Sequence, residues 1–231
     1  MAPPPSPLVI VMPVLNEAAG IADSLTALAP LVGRGARVVV VDGGSTDDTP
    51  ARARRFEGVE VIVAPRGRAA QMNAGARAAG ANGVLLFLHA DTSLPPDADR
   101  LVAQALAAGR RVWGRFDVRI SGRARMLRVV AALMNLRSRW SGIATGDQAM
   151  FMTRAAFDAV GGFPEQPLME DIELSKRLKN LSRPACLRQR VTTSGRRWEA
   201  RGVWPTIVLM WRLRWAYWRG ASPQALARRY E

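Results

Sequence analysis

The chain has 231 residues, of which 48% are hydrophobic, so it can bury a full core as soluble globular proteins do. Its 33 Lys and Arg residues outnumber 19 Asp and Glu residues and give a net charge of +14, which favours anionic partners such as phosphates, nucleotide diphosphates, anionic lipids or nucleic acid. One cysteine excludes an intramolecular disulfide and a thiolate zinc cage, and one histidine excludes Ser-His-Asp and multi-histidine chemistry, so acid–base and metal chemistry must fall to Asp and Glu.

The first half of the chain alternates between strand-like and helix-like segments, as successive βα units do. The predicted strands span 8–12, 37–41, 60–64, 83–89 and about 112–120, and the predicted helices span 19–31, 50–56, 69–79 and 96–108. This alternation predicts a three-layer α/β/α sandwich around a mostly parallel, Rossmann-like sheet.

The second half begins with a basic amphipathic helix, predicted at 124–139. It continues with the predicted strand 149–153, helices 154–160 and 169–181, strand 185–191, and a helical tail over about 203–230. No repeat or low-complexity linker separates the two halves, so we expect a single domain over residues 1–231.

The N-terminus carries no signal-peptide pattern, because the proline-rich residues 1–7 lead directly into the first predicted strand. No apolar stretch reaches the ~18–20 residues that a membrane-spanning helix needs. The longest late candidate, 203–211, is cut short by Arg212 and Arg214. We therefore expect a cytoplasmic protein.

Carboxylates stand at the ends of two predicted strands, Asp42 and Asp91, and a further pair, Glu170-Asp171, opens a predicted helix. Open α/β sheets bind ligands at the carboxyl ends of their strands. Like charges gathered at one sheet edge repel unless a cationic or hydroxylic group lies between them. A metal-bound diphosphate beside a nucleophilic hydroxyl would supply both groups.

Each of these motifs also has a purely structural interpretation. The residues from Asp42 to Asp47 suit a ribose or base contact, but they also make an ordinary capped βα turn. Asp91 suits an oxygen-preferring cation between two phosphates, and we expect His89 to orient Asp91 rather than to ligate the metal. Arg68 can bind a phosphate in forked geometry or remain a solvated surface charge, and Glu170-Asp171 can serve simply as a helix N-terminus.

Five motifs together resemble family 2 glycosyltransferases, in the order in which that family carries them. They are Pro13-Val14-Leu15-Asn16-Glu17, Asp42-Gly43-Gly44-Ser45-Thr46-Asp47, Ala90-Asp91, Gly161-Gly162-Phe163 and Glu170-Asp171. The resemblance covers about residues 8–198 and implies a GT-A fold, a nucleotide-sugar donor, a divalent manganese or magnesium cation and inversion at the anomeric carbon. We expect a nucleotide-sugar-binding half (about 8–120), an acceptor and catalytic half (about 121–200) and a basic, Trp-rich helical tail (about 203–231).

The resemblance also implies roles for individual residues. Asp171 is implied to be the general base with Glu170 beside it, while Asp91 ligates the metal and Asp42 contacts the donor's nucleoside. The further donor-binding residues are expected to be Pro13, Asn16, Glu17, Gly43, Arg68, Asn73, Ala90 and Arg197, and the acceptor-binding residues Asp147, Gln148 and Trp198. A salt bridge to Glu170 is the structural alternative for Arg197.

Two departures from the family pattern bear on the activity. The usual Asp-x-Asp becomes His89-Ala90-Asp91, and Ser194 stands where processive members carry the Gln of Gln-x-x-Arg-Trp, ahead of Arg197-Trp198. Processive members also carry membrane spans, so we expect the transfer of a single sugar. The stretches 146–171 and 194–198 are similar to a bacterial subgroup linked with arsenosugar biosynthesis.

Four tryptophans of the tail, Trp204, Trp211, Trp215 and Trp218, recur at spacings of seven, four and three, which suits one helix face. Core packing is the interpretation that we favour for such a stripe. The alternative is that Trp and Arg rest on the inner, anionic face of a membrane and bring a lipid acceptor to the site.

Two other classes of protein compete with a glycosyltransferase. A nucleotidylyltransferase would need a Gly-rich, basic phosphate loop after the first strand, and residues 13–17 do not form one. A non-catalytic binder of nucleic acid would gather basic and aromatic residues on one surface, whereas the arginines are spread along the whole chain. We therefore expect no nucleic-acid partner.

Overall fold

The computed structural model describes residues 7–230, apart from the side chain of Arg197. Eight strands form one sheet in the order β3-β2-β1-β4-β7-β6-β8-β5. They are β1 (Leu8–Val14), β2 (Arg37–Asp42), β3 (Val59–Val63), β4 (Val84–Phe87), β5 (Thr92–Ser93), β6 (Trp113–Ile120), β7 (Phe151–Thr153) and β8 (Ala185–Thr193). Strands β1 to β4 pair in parallel, as do β6 and β8, whereas β7 runs antiparallel to β4 and β6, and β5 runs antiparallel to β8.

Ten helices surround the sheet in the described part of the chain. They are α1 (Ile21–Val32), α2 (Thr49–Ala53), α3 (Arg68–Ala78), α4 (Ala98–Ala107), α5 (Met126–Ser141), α6 (Arg154–Ala159), α7 (Glu170–Lys179), α8 (Arg196–Arg201), α9 (Val203–Trp218) and α10 (Pro223–Tyr230), with one 3-10 turn at Gly146–Gln148. The predicted elements recur with ends within about three residues, as expected for element boundaries. Strand β5, helix α8 and the 3-10 turn were not predicted, because segments this short carry no readable periodicity.

Two hydrophobic cores lie on opposite faces of the sheet. Successive residues of a strand point to opposite faces, so Ile10 of β1 enters one core while Val11 enters the other. The first core includes Leu28 of α1, and the second includes Met72 of α3 and Leu174 of α7. Helices therefore cover both faces, and the predicted three-layer α/β/α sandwich is confirmed.

Helix α9 packs through a face that the sequence did not single out. Leu213 is 2% exposed and joins a small third core with Met169 and Ile172, next to α7. The four tail tryptophans are instead 59–80% exposed, so their assignment to the core is wrong. Among the described residues, no helix is both long and apolar enough to cross a bilayer.

Candidate active site

A cavity of about 440 Å³ opens where β1 and β4 end, and it is closed on the other side by the start of α7 and by the tail. Most of the predicted site residues line it. From the first half these are Pro13, Glu17, Arg68, Ala90 and Asp91, and from the second half Asp147, Glu170, Asp171 and Trp198. Segments that are distant in sequence therefore meet at one edge of the sheet, as ligand sites of open α/β sheets do.

Asp42 and Asn16 shape a loop beside this cavity rather than line it. The Asp42 carboxylate is 3% exposed and accepts hydrogen bonds from the backbone N–H groups of Gly44 and Ser45, at 3.1 Å each, and from the Ser45 hydroxyl. Asn16 Oδ1 accepts a bond of 2.8 Å from the Thr46 N–H. The loop therefore satisfies its own polar groups.

Gly43 lies against Gln71, a buried residue of α3 that also lines the cavity. A Cβ at Gly43 would come within 3.0 Å of the Gln71 amide. That amide donates to the backbone carbonyls of Val14 and Val41, at 2.9 and 2.7 Å, and so ties together the ends of β1 and β2. A glycine at position 43 leaves room for the Gln71 side chain and its two hydrogen bonds.

Asp91 is exposed at the cavity, directly before β5. The backbone carbonyls of Ala90 and Asp91 accept bonds from the Ser24 hydroxyl and the Ser194 N–H, which fixes the main chain while the carboxylate faces the cavity. His89 lies against a different carboxylate than expected, because its Nδ1 is 3.4 Å from Asp147 Oδ1. The predicted role of His89 in orienting Asp91 is therefore replaced by a contact with Asp147.

The carboxylates of Glu170 and Asp171 occupy different environments at the start of α7. Met169, in the left-handed region at φ 67°, ends the preceding loop. Asp171 Oδ2 accepts a bond of 2.9 Å from the Gly146 N–H. Glu170 is 5% exposed, and burial, reinforced by Asp171, raises its pKa to about 7 although Arg68 acts in the opposite direction.

Two predicted binding residues have their amides occupied by the protein itself. Asn73 donates to the Phe163 carbonyl and accepts from the Phe163 N–H, at 2.9 Å each. Gln148 is fully buried, and its amide bonds to Thr145, Asn135 and Ser138. Both residues hold loops beside the cavity instead of lining it. Arg197 belongs to α8, and its side chain lies outside the part of the chain that the structure describes.

The tail contributes a wall of the cavity that the sequence did not reveal. Thr206, Leu209, Met210 and Arg214 of α9 line it, as does Tyr230 of α10. The sequence signal for this wall was Arg214, because it directly follows Leu213, which packs against Met169 and Ile172. An arginine next to a buried helix face calls for an explanation, because buried charges are normally paired.

Two arginines near Asp171 have guanidinium atoms without partners. In the part of the chain described here, the buried Nε and Nη2 of Arg137 and Nε of Arg214 receive no hydrogen-bond acceptor. Burial, assisted by the neighbouring Arg214, lowers the pKa of Arg137 to about 10. Burial also lowers the pKa of Arg214, against the attraction of Asp171 and Asp147.

Solved structures with the same fold include several glycosyltransferases. A mannosyltransferase from Pyrobaculum calidifontis in complex with GDP-Man and Mn²⁺ is similar over 82% of this chain and 57% of its own, at a TM-score of 0.61 and 20% identity. TarS from S. aureus in complex with UDP is similar over 81% of this chain and 60% of its own, at a TM-score of 0.66 and 19% identity. Glucosyl-3-phosphoglycerate synthase from Mycobacterium tuberculosis in complex with Mn²⁺, UDP and phosphoglyceric acid is similar over 81% of this chain and 69% of its own, at a TM-score of 0.60 and 20% identity. These likenesses confirm the GT-A fold.

Sequence relatives and a family pattern give the assignment. Uncharacterized glycosyltransferases of Mycobacterium tuberculosis and Mycobacterium bovis are 37% identical over 108 residues, which is 46% of this chain. The match spans 47% of the length of these relatives. The pattern described as glycosyl transferase family 2 matches residues 9–163, about two thirds of the chain. The chain therefore belongs to glycosyl transferase family 2.

Proposed function

We propose that the protein moves one sugar from a nucleotide-sugar donor to an acceptor hydroxyl, with inversion at the anomeric carbon. The observation that carries the proposal is that Asp91, from the turn between β4 and β5, and Asp171, from the start of α7, line one cavity of about 440 Å³. A carboxylate for the metal and diphosphate and a second carboxylate for the attacking hydroxyl are the two groups that this displacement requires.

The donor is assigned to the edge formed by β1, β2 and β4. Pro13, Glu17, Arg68 and Ala90 line this side of the cavity, with the Asp42 loop next to it. No three potential metal ligands cluster among the residues that the structure describes, so a magnesium or manganese ion at Asp91 would take most of its ligands from phosphate oxygens and water. Such an ion, when bound, stabilises negative charge on the departing diphosphate. The Mn²⁺ and nucleotides of the similar solved structures support this assignment.

Asp171 is assigned as the general base. Its bond from the Gly146 N–H fixes the carboxylate at the cavity. Glu170, with its pKa raised to about 7, carries a proton much of the time near neutral pH, which limits repulsion between the two neighbouring carboxylates. The acceptor oxygen attacks the anomeric carbon, its proton passes to Asp171, and the bond from that carbon to the diphosphate oxygen breaks. Attack opposite the leaving group inverts the configuration.

The second half and the tail are assigned to the acceptor. Asp147 and Trp198 line the cavity on this side, and Arg214 and Tyr230 bring the tail to it. We keep the division into a donor half, an acceptor half and a tail within one domain as part of the proposal. The narrower resemblance to the arsenosugar-linked subgroup stays a prediction, and transfer to an organoarsenic acceptor would test it.

The exposed face of α9 favours a peripheral contact with an anionic membrane. Trp211, Trp215 and Trp218 are 72%, 59% and 80% exposed, and Arg212 of the same helix and Arg219 directly after it are also exposed. Interfacial helices combine such aromatic and cationic residues, and the cytoplasmic face of a membrane is anionic. Replacing Trp211 and Trp215 with Gln should reduce co-sedimentation with phosphatidylglycerol-containing vesicles, whereas Val63→Gln, at an exposed site on β3, should not. Equal sedimentation of all three proteins would refute the contact.

The central experiment measures donor binding and chemistry separately. UDP or GDP should raise the melting temperature, with a larger increase when manganese is present. Asp171→Asn should lower transfer by about 10²–10⁴-fold, since it removes the base, while the nucleotide-dependent increase remains. Transfer is followed as nucleoside diphosphate released from the nucleotide sugar with a panel of hydroxyl acceptors. Asp97→Asn, an exposed carboxylate before α4, is the control.

Three outcomes would contradict the proposal. Undiminished transfer by Asp171→Asn would remove Asp171 as the base. Release of pyrophosphate from a nucleoside triphosphate would indicate a nucleotidylyltransferase instead. Salt-dependent retention on DNA, without any effect of nucleoside diphosphates, would indicate a nucleic-acid-binding protein.

A further inference from the structure

Arg214 of α9 brings a positive charge to the acceptor side of the cavity, and Arg137 of α5 lies near it. Arg214 lines the cavity directly. The two guanidinium groups are close enough for Arg214 to disfavour the charge on Arg137. Nothing in the described structure accepts a hydrogen bond from the buried Nε and Nη2 of Arg137 or from the buried Nε of Arg214.

Two other arginines of this fold have ion-pair partners, although the buried Nε of Arg115 also has no acceptor in the described structure. Arg115 contacts Asp117. Arg139, on the same helix as Arg137, bonds to Asp117 at 2.7 Å and to the Cys186 carbonyl at 3.1 Å. Burial of an unpaired charge destabilises a fold, and two unpaired like charges side by side destabilise it further. Asp171 attracts both arginines without accepting hydrogen bonds from these nitrogen atoms, so the pair has donors left for a bound anion.

The position of the pair decides which ligand supplies that anion. The carboxylates that attract Arg214 most are Asp171 and Asp147, on the acceptor side. The donor's diphosphate is assigned to Asp91, after β4. An anion bound by Arg137 and Arg214 therefore lies next to the group proposed to deprotonate the acceptor.

We propose that the acceptor carries a phosphate or carboxylate group and that Arg137 and Arg214 bind this group next to Asp171. The identification of the ligand as the acceptor rests on the proposed function, but the anion site itself does not depend on sugar transfer. Guanidinium groups suit this task, because they offer forked donors that match phosphate and carboxylate oxygens. The anion can belong to a soluble metabolite or to a lipid headgroup, since both present the same oxygens.

The test is a calorimetric titration of the full chain with glycerol 3-phosphate, after UDP or GDP with manganese has saturated the donor side. Arg137→Met and Arg214→Met should each weaken glycerol 3-phosphate binding by about tenfold or more, the usual effect of losing a hydrogen bond to a charged group. Arg128→Met on α5 and Arg100→Met on α4, both at exposed positions, should stay within about twofold of the wild type. A parallel arm uses phosphatidylcholine vesicles with and without phosphatidic acid. Variant effects confined to the vesicle arm identify a lipid acceptor, and effects in the solution arm identify a soluble one.

Two further readouts separate this site from a structural role and from the donor site. Removal of an unpaired buried charge should leave the ligand-free melting temperature unchanged or higher, and nucleoside diphosphate affinity should be unaffected. A fall of several degrees in both variants, or a parallel loss of nucleoside diphosphate affinity, would overturn the inference, as would phosphate binding that ignores both substitutions in both arms. Glycerol 3-phosphate binding that depends on the arginine pair, in a protein that binds neither UDP nor GDP, would instead refute the proposed function and leave the anion site standing.

Discussion

The loop after β2 and the acceptor side of the cavity both hold buried charged groups, and they treat these groups in opposite ways. In the loop, Asp42 receives hydrogen bonds from its own next residues, so its charge stabilises the turn. On the acceptor side, Glu170 is buried beside another carboxylate, and Arg137 and Arg214 have guanidinium atoms without acceptors. Satisfied charges hold a fold together, whereas unsatisfied ones store free energy that a ligand can release.

After Asp171→Asn, the replacement of Asp91 by Asn should have the largest effect on transfer, because Asp91 is the proposed metal ligand. Because its carboxylate is exposed, Asp91→Asn should change the free energy of unfolding by less than about 0.5 kcal/mol. Loss of the proposed metal ligand should abolish the manganese-dependent part of nucleoside diphosphate binding and lower transfer by about 10²–10³-fold. Melting curves with and without manganese check this result, with Asp97→Asn as the control. If nucleoside diphosphate binding by Asp91→Asn still depended on manganese, Asp91 would not be the metal ligand.

Glu170→Gln should stabilise the protein above neutral pH. The folded-state pKa of Glu170 is raised from 4.5 to about 7, so the folded protein holds this proton more tightly than the unfolded chain does. Stability therefore falls as the pH rises from about 4.5 to about 7, by at most about 3 kcal/mol, and stays lower above that range. Denaturant unfolding should show the variant more stable than the wild type at pH 8 and equal to it near pH 4.5. Glu165→Gln, an exposed carboxylate before α7, should show no such difference.

Asp42→Asn should lower the free energy of unfolding, whereas Glu170→Gln raises it above neutral pH, and the change should be smaller. The amide places donors against the N–H groups of Gly44 and Ser45, so we expect a loss of about 1–3 kcal/mol in the free energy of unfolding. The shift of the denaturant midpoint measures it, and Asp48→Asn, an exposed residue of the same loop without a capping bond, serves as the control. If Asp42→Asn were as stable as the wild type, the contrast between the two regions would disappear.

The donor edge could be predicted from the sequence because its information is local. A strand of β-branched residues that ends in Asp42 and two glycines specifies both the turn and its position at the sheet edge. The same reasoning placed Asp91 at a strand end, and the structure has it four residues beyond β4, directly before β5. It could not show that the Gln148 side chain turns inward, because loop side chains have no periodicity.

The acceptor wall could not be predicted, since it depends on how helices pack. Helix α9 carries large apolar residues on more than one side, Leu209 and Leu213 as well as Trp211 and Trp215, so periodicity alone did not show which side is buried. Arg137 and Arg214 meet only because α5 and α9 approach the start of α7 from distant parts of the chain. No spacing rule relates two such residues.

The part of the cavity supplied by α9 and α10 lies entirely beyond residue 163, where the family match ends. Under the proposed assignment, the acceptor side combines Asp147, within the family match, with a tail that lies beyond it. Under the same proposal, changes in the tail would alter the acceptor side of the cavity and leave the donor edge in place. A chimera that receives the last thirty or so residues of another family member should therefore show that member's acceptor specificity.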